Sequence, residues 1–227
     1  MAEEIRKYEL LTDQTVKLFG KTLYRIRACM DFTTTDGEEI NTGDIGGYIE
    51  KYENLSQYGN AWVYGDAQVY GNAYVYNNAQ VYNNAQVYGN ARVYDNAQVY
   101  GDVWAYDNAR VCGNARVCGG ACVYGNARVC GGAQVWGDAQ VYDITHVLVV
   151  GKIGSRNDFT TFFRDKDNEI CVKCGCFTGK IDDFLRKVTE THGENKHAQI
   201  YKAAIELAKL QIDLSQSDKI EEESENA

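Results

Sequence analysis

The fold of this chain is decided by one stretch, residues 61–96, which reads AWVYGD AQVYGN AYVYNN AQVYNN AQVYGN ARVYDN. The same phrase recurs about fourteen times between Tyr58 and Asp143: Ala, a variable residue, Val, an aromatic residue or Cys, and two turn residues. One repeat inverts the pair, with Val103 at the small position and Ala105 at the large one. Because this swap roughly preserves volume, the two side chains should share one interior, and self-similarity of this kind indicates a solenoid.

The alternation of side chains within each repeat assigns the faces of the solenoid. In an extended Ala-x-Val-Tyr segment, Ala and Val point one way, and x and Tyr point the other way. The x positions hold mostly Gln and Arg, which cannot line a narrow core, so we expect Ala and Val inside and Tyr outside. The turn pairs are mostly Gly, Asn and Asp, which tolerate left-handed backbone conformations and form sharp corners. The valines predicted to face inward are Val63, Val69, Val75, Val81, Val87, Val93, Val99, Val111, Val117, Val123, Val129, Val135 and Val141.

The cycled phrase Val-Tyr-Gly-Asn-Ala-Gln resembles the hexapeptide repeat of left-handed parallel β-helices, a family that includes many acyltransferases. The resemblance covers residues 58–148. It implies a three-sided prism with three repeats, or eighteen residues, in each coil, so about fourteen repeats form about five coils. The whole chain also resembles phage and prophage hexapeptide-repeat proteins that are labelled as transferases, through residues 7–10, 23–28 and 43–50 as well as the repeats.

The extent of the repeats divides this mostly β chain into four parts. Residues 1–50 do not repeat and show strand patterns with turn signals, which indicates an N-terminal β cap over the open end of the helix. Residues 51–150 form the left-handed parallel β-helix, and residues 151–214 a C-terminal β-hairpin with two helices. Residues 215–227 are an acidic tail. The elements predicted in the third part are strands at 159–164 and 169–177 and helices at 182–191 and 196–214.

The composition limits the classes of function and the compartment. The chain of 227 residues has a formal net charge of −9, so we expect no non-specific binding along a nucleic-acid backbone. The start lacks the apolar core of a secretory signal and no apolar run can span a bilayer, so we predict a cytoplasmic protein of a bacterium or a phage-infected bacterial cell. The eight cysteines should then be reduced, and a disulfide between the neighbours Cys112 and Cys130 is conceivable but disfavoured.

Outward residues eighteen positions apart stack into columns, and one face of the rod carries an unbroken column of tyrosines. These tyrosines could stabilise the rod itself by stacking. An exposed aromatic face is also typical of an interface, and the resemblance implies a trimer. We therefore predict a homo-oligomer, a trimer or a dimer, that uses this face or the C-terminal helices. The predicted interface residues are Tyr70, Tyr88, Trp104, Tyr106, Tyr124 and Tyr142.

A second face carries a column of arginines, Arg92, Arg110 and Arg128, beside Tyr76 and Tyr94. Guanidinium groups at a spacing of ~4.8 Å repel one another, so a neighbouring group should offset their charge. Solvent or cation–π contacts with the tyrosines are one explanation. The other is an acidic ligand: a carboxylate surface of a protein partner, a phosphate or a nucleotide. These five residues are therefore the candidate ligand- or partner-binding site.

A cysteine-rich segment near the C-terminal end is an alternative metal site. Cys171, Cys174 and Cys176, with His192 downstream, supply enough ligands for zinc. Their spacing differs from that of a paired zinc knuckle, and in a strand Cys174 and Cys176 would share the face opposite to Cys171. We therefore predict no metal and no other cofactor.

Two classes of function remain. The resemblance implies that an acyltransferase of this fold would use a histidine base on or beside the rod, with an acyl-thioester donor in a groove between subunits. Of the three histidines only His146 lies on the rod, and the repeats contain no inserted loop that could build a substrate pocket. We therefore predict a non-enzymatic, oligomeric β-helix that binds a macromolecule or a small acidic ligand. If the protein is phage-encoded, it would interfere with a host system. The alternative is a hexapeptide-repeat acyltransferase with His146 as its base.

Overall fold

The computed structural model describes residues 6–215, so the predicted acidic tail lies outside the described residues except for Ser215. The N-terminal part is built of short and long strands. These strands are β1 (Tyr8–Leu18), β2 (Lys21–Ala28), β3 (Phe32–Thr33), β4 (Glu39–Ile40) and β5 (Ile45–Ile49). Strands β1 and β2 form an antiparallel hairpin, β2 also pairs with β5, and β3 pairs with β4 in a smaller hairpin.

The hexapeptide repeats form a three-sided parallel β-helix, in which each repeat supplies one short strand. The strands are β6 (Trp62–Val63), β7 (Gln68–Val69), β8 (Tyr74–Val75), β9 (Gln80–Asn83), β10 (Gln86–Val87), β11 (Arg92–Val93), β12 (Gln98–Gly101), β13 (Trp104–Ala105), β14 (Arg110–Val111), β15 (Arg116–Gly119), β16 (Cys122–Val123), β17 (Arg128–Val129), β18 (Gln134–Val135) and β19 (Gln140–Val141). They pair in three ladders, β7–β10–β13–β16–β19, β8–β11–β14–β17 and β6–β9–β12–β15–β18. The predicted parallel β-helix of about five coils is confirmed.

The interior of the rod is filled by the small aliphatic residues of the repeats. Every repeat Ala and Val from Ala61 to Val141 is at most 1% exposed, which confirms that these residues face inward. The inverted repeat fits the same interior, because Ala105 pairs with Val87 on one side and with Val123 on the other. Burial of each valine stabilises the fold by roughly 1.5 kcal/mol or more, and the repeats sum this contribution along the rod.

The N-terminal part covers one side of the rod as well as its end. Strand β5 pairs in parallel with β7, so the sheet of the cap is continuous with one ladder of the helix. The β3–β4 hairpin lies against another side, where the Phe32 ring meets the Trp62 ring at 5.5 Å and Asp36 accepts a hydrogen bond from Gln80 at 2.8 Å. Trp62 and Gln80 are therefore each only 1% exposed, although alternation placed them on the outer surface.

The C-terminal part is a four-stranded antiparallel sheet with two helices packed against it. Its elements are β20 (Val147–Ile153), β21 (Asp158–Arg164), β22 (Ile170–Cys174), β23 (Phe177–Lys180), α1 (Ile181–His192) and α2 (Lys196–Gln211). The strand predicted at 169–177 is in fact two strands, because Gly175 adopts a φ of +58° in a hairpin turn. Helix α2 ends before residue 214, because Ile212 is extended and the Asn168 amide donates to the Leu214 carbonyl.

Strand β21 joins this part to the rod. Phe163 is 1% exposed and belongs to the core of the rod, whereas its neighbour Phe162 belongs to a second core under the helices. This division follows from the alternation of side chains along a strand. The Gln134 backbone N–H donates to Thr161 Oγ1 at 2.9 Å, and Asp165 forms an antiparallel bridge with Ala139. The far end of the β-helix is thereby closed.

Candidate functional site

The structure brings the three arginines of the candidate binding site into register. Arg92 pairs with Arg110 across β11 and β14, and Arg110 pairs with Arg128 across β14 and β17. All three residues are exposed, and within residues 6–215 none of them takes part in an ion pair. Three cations therefore stand on consecutive coils, ~4.8 Å apart from one coil to the next.

The tyrosines beside this column stack on one another rather than on the arginines. The ring centroids of Tyr74 and Tyr76 are 4.7 Å apart, and those of Tyr76 and Tyr94 are 5.0 Å apart with nearly parallel planes. Burial raises the pKa of the Tyr76 phenol. The cation–π contacts found in the described part of the chain involve other cations, so the guanidinium groups of this column face solvent.

A disulfide continues this tyrosine column. Cys112 and Cys130 follow Tyr94 on the next two coils, with their Cα atoms 4.5 Å apart, and their sulfurs are joined. The expectation that all eight cysteines are reduced is therefore wrong for this pair, because the parallel register gives a separation that suits a disulfide. Disulfides are rare in cytosolic proteins, so the cytoplasmic location stays an expectation that this bond does not support.

Side-chain amides fix the corner that borders the arginine column. Asn78 donates a hydrogen bond to Asn96 at 3.2 Å, and Asn96 donates to Asn114 at 3.1 Å. The Asp95 carboxylate accepts from the backbone N–H of Gly113 at 3.2 Å. Because these groups bond to one another and to the backbone, the corner holds the arginine-bearing strands in a fixed register.

The predicted oligomer interface contains an ordered ladder of tyrosine rings. The stacked rings are Tyr70, Tyr88, Tyr106, Tyr124 and Tyr142, whose successive centroids are 5.0, 4.9, 4.9 and 5.2 Å apart. Tyr70, the first ring of this ladder, is 6% exposed, and burial raises the pKa of its phenol to about 12. Trp104, on the adjacent outward column, is 47% exposed. The ladder thus stabilises the rod, and apolar surface remains open beside it.

His146 does not lie on a strand of the rod. It ends a 3-10 turn, Ile144–His146, that follows the last repeat, and its side chain is fully buried. The Tyr142 backbone N–H donates to Nδ1 at 3.4 Å, and the imidazole meets the Tyr142 ring edge-on at 4.1 Å. The expectation that His146 lies on the rod is wrong, because a 3-10 turn capped by Asp143 through the Thr145 N–H follows the last repeat and carries the histidine. A buried imidazole cannot reach a substrate in solvent.

The four residues of the alternative metal site are not arranged as a set of metal ligands. The Cys171 thiol donates to Asp165 at 3.3 Å, and burial raises the pKa of this thiol to about 12. Cys174 accepts a hydrogen bond from Thr160 at 3.3 Å, whereas Cys176 lies in the two-residue turn between β22 and β23. Within residues 6–215 no three His, Cys, Asp or Glu side chains are grouped so that they could hold a metal ion. Cys174, Cys176 and His192 border one pocket of the C-terminal part, whereas Cys171 bonds to Asp165 outside it.

A buried lysine at the N-terminal end was not anticipated from the sequence. Lys7 is 3% exposed, and its Nζ donates to the carbonyls of Ala61 at 2.9 Å and Gly59 at 3.3 Å. Burial lowers the pKa of this amine to about 7, and a neutral amine still has hydrogens for both carbonyls. Lys7 therefore satisfies backbone acceptors at the first coil, where the ladder has no further strand. In the sequence, a lysine just before a strand does not indicate that its side chain will be buried and bonded to backbone carbonyls.

The fold and these faces define a parallel β-solenoid repeat protein with capped ends. A family model for the YdcK β-solenoid repeat matches residues 67–83, 85–101 and 109–123, all of them within the rod. The repeats of this chain are therefore similar to those of that family. The comparison with curated proteins gave no match. In the part of the chain that the structure describes, no helix is long and apolar enough to cross a membrane.

Proposed function

We propose that this protein is a non-enzymatic, oligomeric β-solenoid that binds an acidic protein partner through its arginine face, defined as Arg92, Arg110, Arg128, Tyr76 and Tyr94. The arginine column carries this proposal, because it places three exposed guanidinium groups on consecutive coils without carboxylate partners in residues 6–215. Carboxylates of a partner would offset the repulsion between these cations and accept paired hydrogen bonds from each guanidinium.

The charge of the chain favours a protein partner over a nucleic acid. The net charge of −9 opposes binding along a phosphate backbone, which depends on many basic contacts. The column is short, since three residues at the strand spacing extend over ~10 Å. It therefore fits a short acidic segment, and on an otherwise acidic chain it would direct such a segment to one place on the rod.

Replacing Arg92, Arg110 and Arg128 together with Gln should weaken the binding of an unlabelled poly-glutamate peptide by at least tenfold. Hydrogen bonds to charged groups contribute ~1.5–3 kcal/mol each, so loss of three of them exceeds this threshold. Isothermal titration calorimetry at low ionic strength measures the affinity, and added salt should weaken wild-type binding because exposed charges are screened. The proposal fails if the triple variant binds the peptide as tightly as the wild type.

The matched control is a pair of arginines outside the face. Arg27 is paired with Glu9, and Arg186 is paired with Asp183 at 2.6 Å. Replacing both Arg27 and Arg186 with Gln removes cationic charge but leaves the arginine face intact. This control variant should keep the affinity of the wild type within about twofold, since pairs of this kind are largely neutralised already.

We also propose that the protein associates with itself, as a trimer or a dimer, through the tyrosine ladder face or through helix α2. Trp104 beside the ladder is 47% exposed, and on α2 Leu207 and Leu210 are 49% and 87% exposed. Aromatic and large apolar side chains are enriched where protein surfaces bury each other. Association would cover these side chains while leaving the arginine face open.

Light scattering on the purified protein should therefore give a mass that is a multiple of 25.4 kDa. Tyr106→Glu combined with Tyr124→Glu should dissociate an assembly built on the ladder face, because it buries like charges in the interface. Leu210→Glu should instead dissociate an assembly built on α2. A mass near 25.4 kDa at every dilution of the wild type would contradict self-association.

The resemblance to phage and prophage hexapeptide-repeat proteins extends the proposal to a biological role. A phage-encoded binding protein would interfere with a system of its host cell, and the acidic partner would then be a bacterial cytoplasmic protein. The acyltransferase alternative draws no support from the geometry. Its candidate base His146 is fully buried in the turn after the rod, and residues 62–141 contain no inserted loop between their strands.

A further inference from the structure

The C-terminal sheet and helices border an open pocket of about 410 Å³ that is separate from both faces of the rod. It lies between the turn after β20, the β22–β23 hairpin and the facing sides of α1 and α2. Polar and aromatic side chains converge on it, among them Arg156, Cys176, Lys187, His192, Phe177 and Tyr201. A concave pocket with a few convergent polar groups is the usual form of a small-molecule site.

The charges of the pocket are opposite in sign to the charge of the chain. Arg156 and Lys187 line it, and the lining residues within 6–215 include no carboxylate, although the net charge of the chain is −9. The Arg156 guanidinium Nη2 lies 3.2 Å from Cys176 Sγ. The Lys187 ammonium lies 3.6 Å from the carboxylate of Glu190, an exposed residue on the same helix. The pocket is therefore set up for an anionic group beside Arg156.

Aromatic rings form the floor of the pocket. The Phe184 ring packs against Phe177 at 5.1 Å and against Tyr201 at 5.5 Å. The His192 ring stacks near Tyr201 at 5.9 Å, and its Nε2 is 3.5 Å from Ser155 Oγ. A ligand bound here would meet an apolar surface at one end and basic and hydroxyl groups at the other.

Two glycines in the turns that border the pocket leave room for the side chains of Arg156 and Tyr201. A Cβ atom on Gly175, where φ is +58°, would lie 2.6 Å from Arg156 Nη1. A Cβ atom on Gly154, where φ is +68°, would lie 2.0 Å from the Tyr201 ring. Because both positions lack a side chain, Arg156 and Tyr201 can pack directly against the turns. The pocket is thus preformed by the backbone.

We propose that this pocket binds a small molecule with one anionic group, a carboxylate or a sulfonate, on a planar aromatic body. Arg156 binds the anionic group and Lys187 adds to the local positive charge, while Phe177 and Tyr201 contact the ring system. This pocket shares no residue with the arginine face, so the proposal for the pocket does not depend on whether the protein binds an acidic partner.

The probe for this site is 1-anilinonaphthalene-8-sulfonate, titrated against the full chain by fluorescence. We expect saturable binding to the wild type, about tenfold weaker binding to Arg156→Gln and a smaller loss for Lys187→Gln, whose exposed position keeps the fold intact. Arg186→Gln, on the same helix but outside the pocket, is the control and should bind like the wild type. Equal affinity of the Arg156→Gln and Arg186→Gln variants overturns the proposal.

Cysteine alkylation reports where the probe binds. Cys176 and Cys29 are both exposed and free, but only Cys176 lines the pocket. At saturating probe, alkylation of Cys176 by iodoacetamide should slow at least fivefold, as read by peptide mass spectrometry, while that of Cys29 stays unchanged. Unchanged alkylation of Cys176 would place the probe elsewhere and overturn the proposal.

Discussion

Replacing Val99 with aspartate is expected to unfold the β-helix. Val99 is fully buried, and so are its register neighbours Val81 and Val117 on the adjacent coils. A carboxylate at this position would have no partner in an interior of Ala and Val side chains, and burial of an unpaired ion costs several kcal/mol even after relaxation. This loss is comparable to the total stability of a typical domain, ~5–15 kcal/mol.

Urea titration followed by circular dichroism is the measurement, and Val99→Asp should show no cooperative transition. The control is a substitution of the preceding residue, Gln98, which points outward. Its side-chain amide donates a hydrogen bond to Gln80 at 3.3 Å, and Arg116 is its register neighbour on the next coil. Gln98→Asp loses one hydrogen bond and gains a nearby cation, so its stability should change by about 1 kcal/mol or less. If the Val99→Asp variant unfolds at the same urea concentration as the wild type, the inward orientation of Val99 is contradicted.

The second large effect is expected from Trp62→Ala, which should lower the free energy of unfolding by ~3–5 kcal/mol. Trp62 is 1% exposed and packs against the Phe32 ring at 5.5 Å and the Tyr8 ring at 6.2 Å. Its loss leaves a cavity between the first coil and the N-terminal hairpins, so the β3–β4 hairpin should also become more susceptible to limited proteolysis. Urea denaturation gives the change in stability.

A second tryptophan provides the matched control for this change. Trp104 is 47% exposed on an outward position of the rod, so Trp104→Ala creates no enclosed cavity. Its effect on stability should be about 0.5 kcal/mol, measured at a dilution at which any assembly is dissociated. If Trp62→Ala lowers the free energy of unfolding no more than the small amount expected for Trp104→Ala, the attachment of the N-terminal part does not depend on Trp62.

The sequence by itself determined the rod. Each strand is set by residues within one repeat, and the alternation of Ala and Val with outward residues fixes which side faces the interior. The constant period of six residues then brings position 92 beside position 110 and position 70 beside position 88, as found. The arginine column and the tyrosine ladder could be predicted for this reason, because local rules repeat without interruption.

The tertiary structure decided everything that depends on contact between different parts of the chain. Docking of the N-terminal strands buries Trp62 and Gln80, and His146 is buried in the turn that follows the rod. The pocket near Arg156 likewise joins two hairpin turns to two helices. The sequence of each repeat sets how its strand pairs with the next coil. These other contacts arise where segments with different sequence patterns pack together, and no local periodicity predicts such packing.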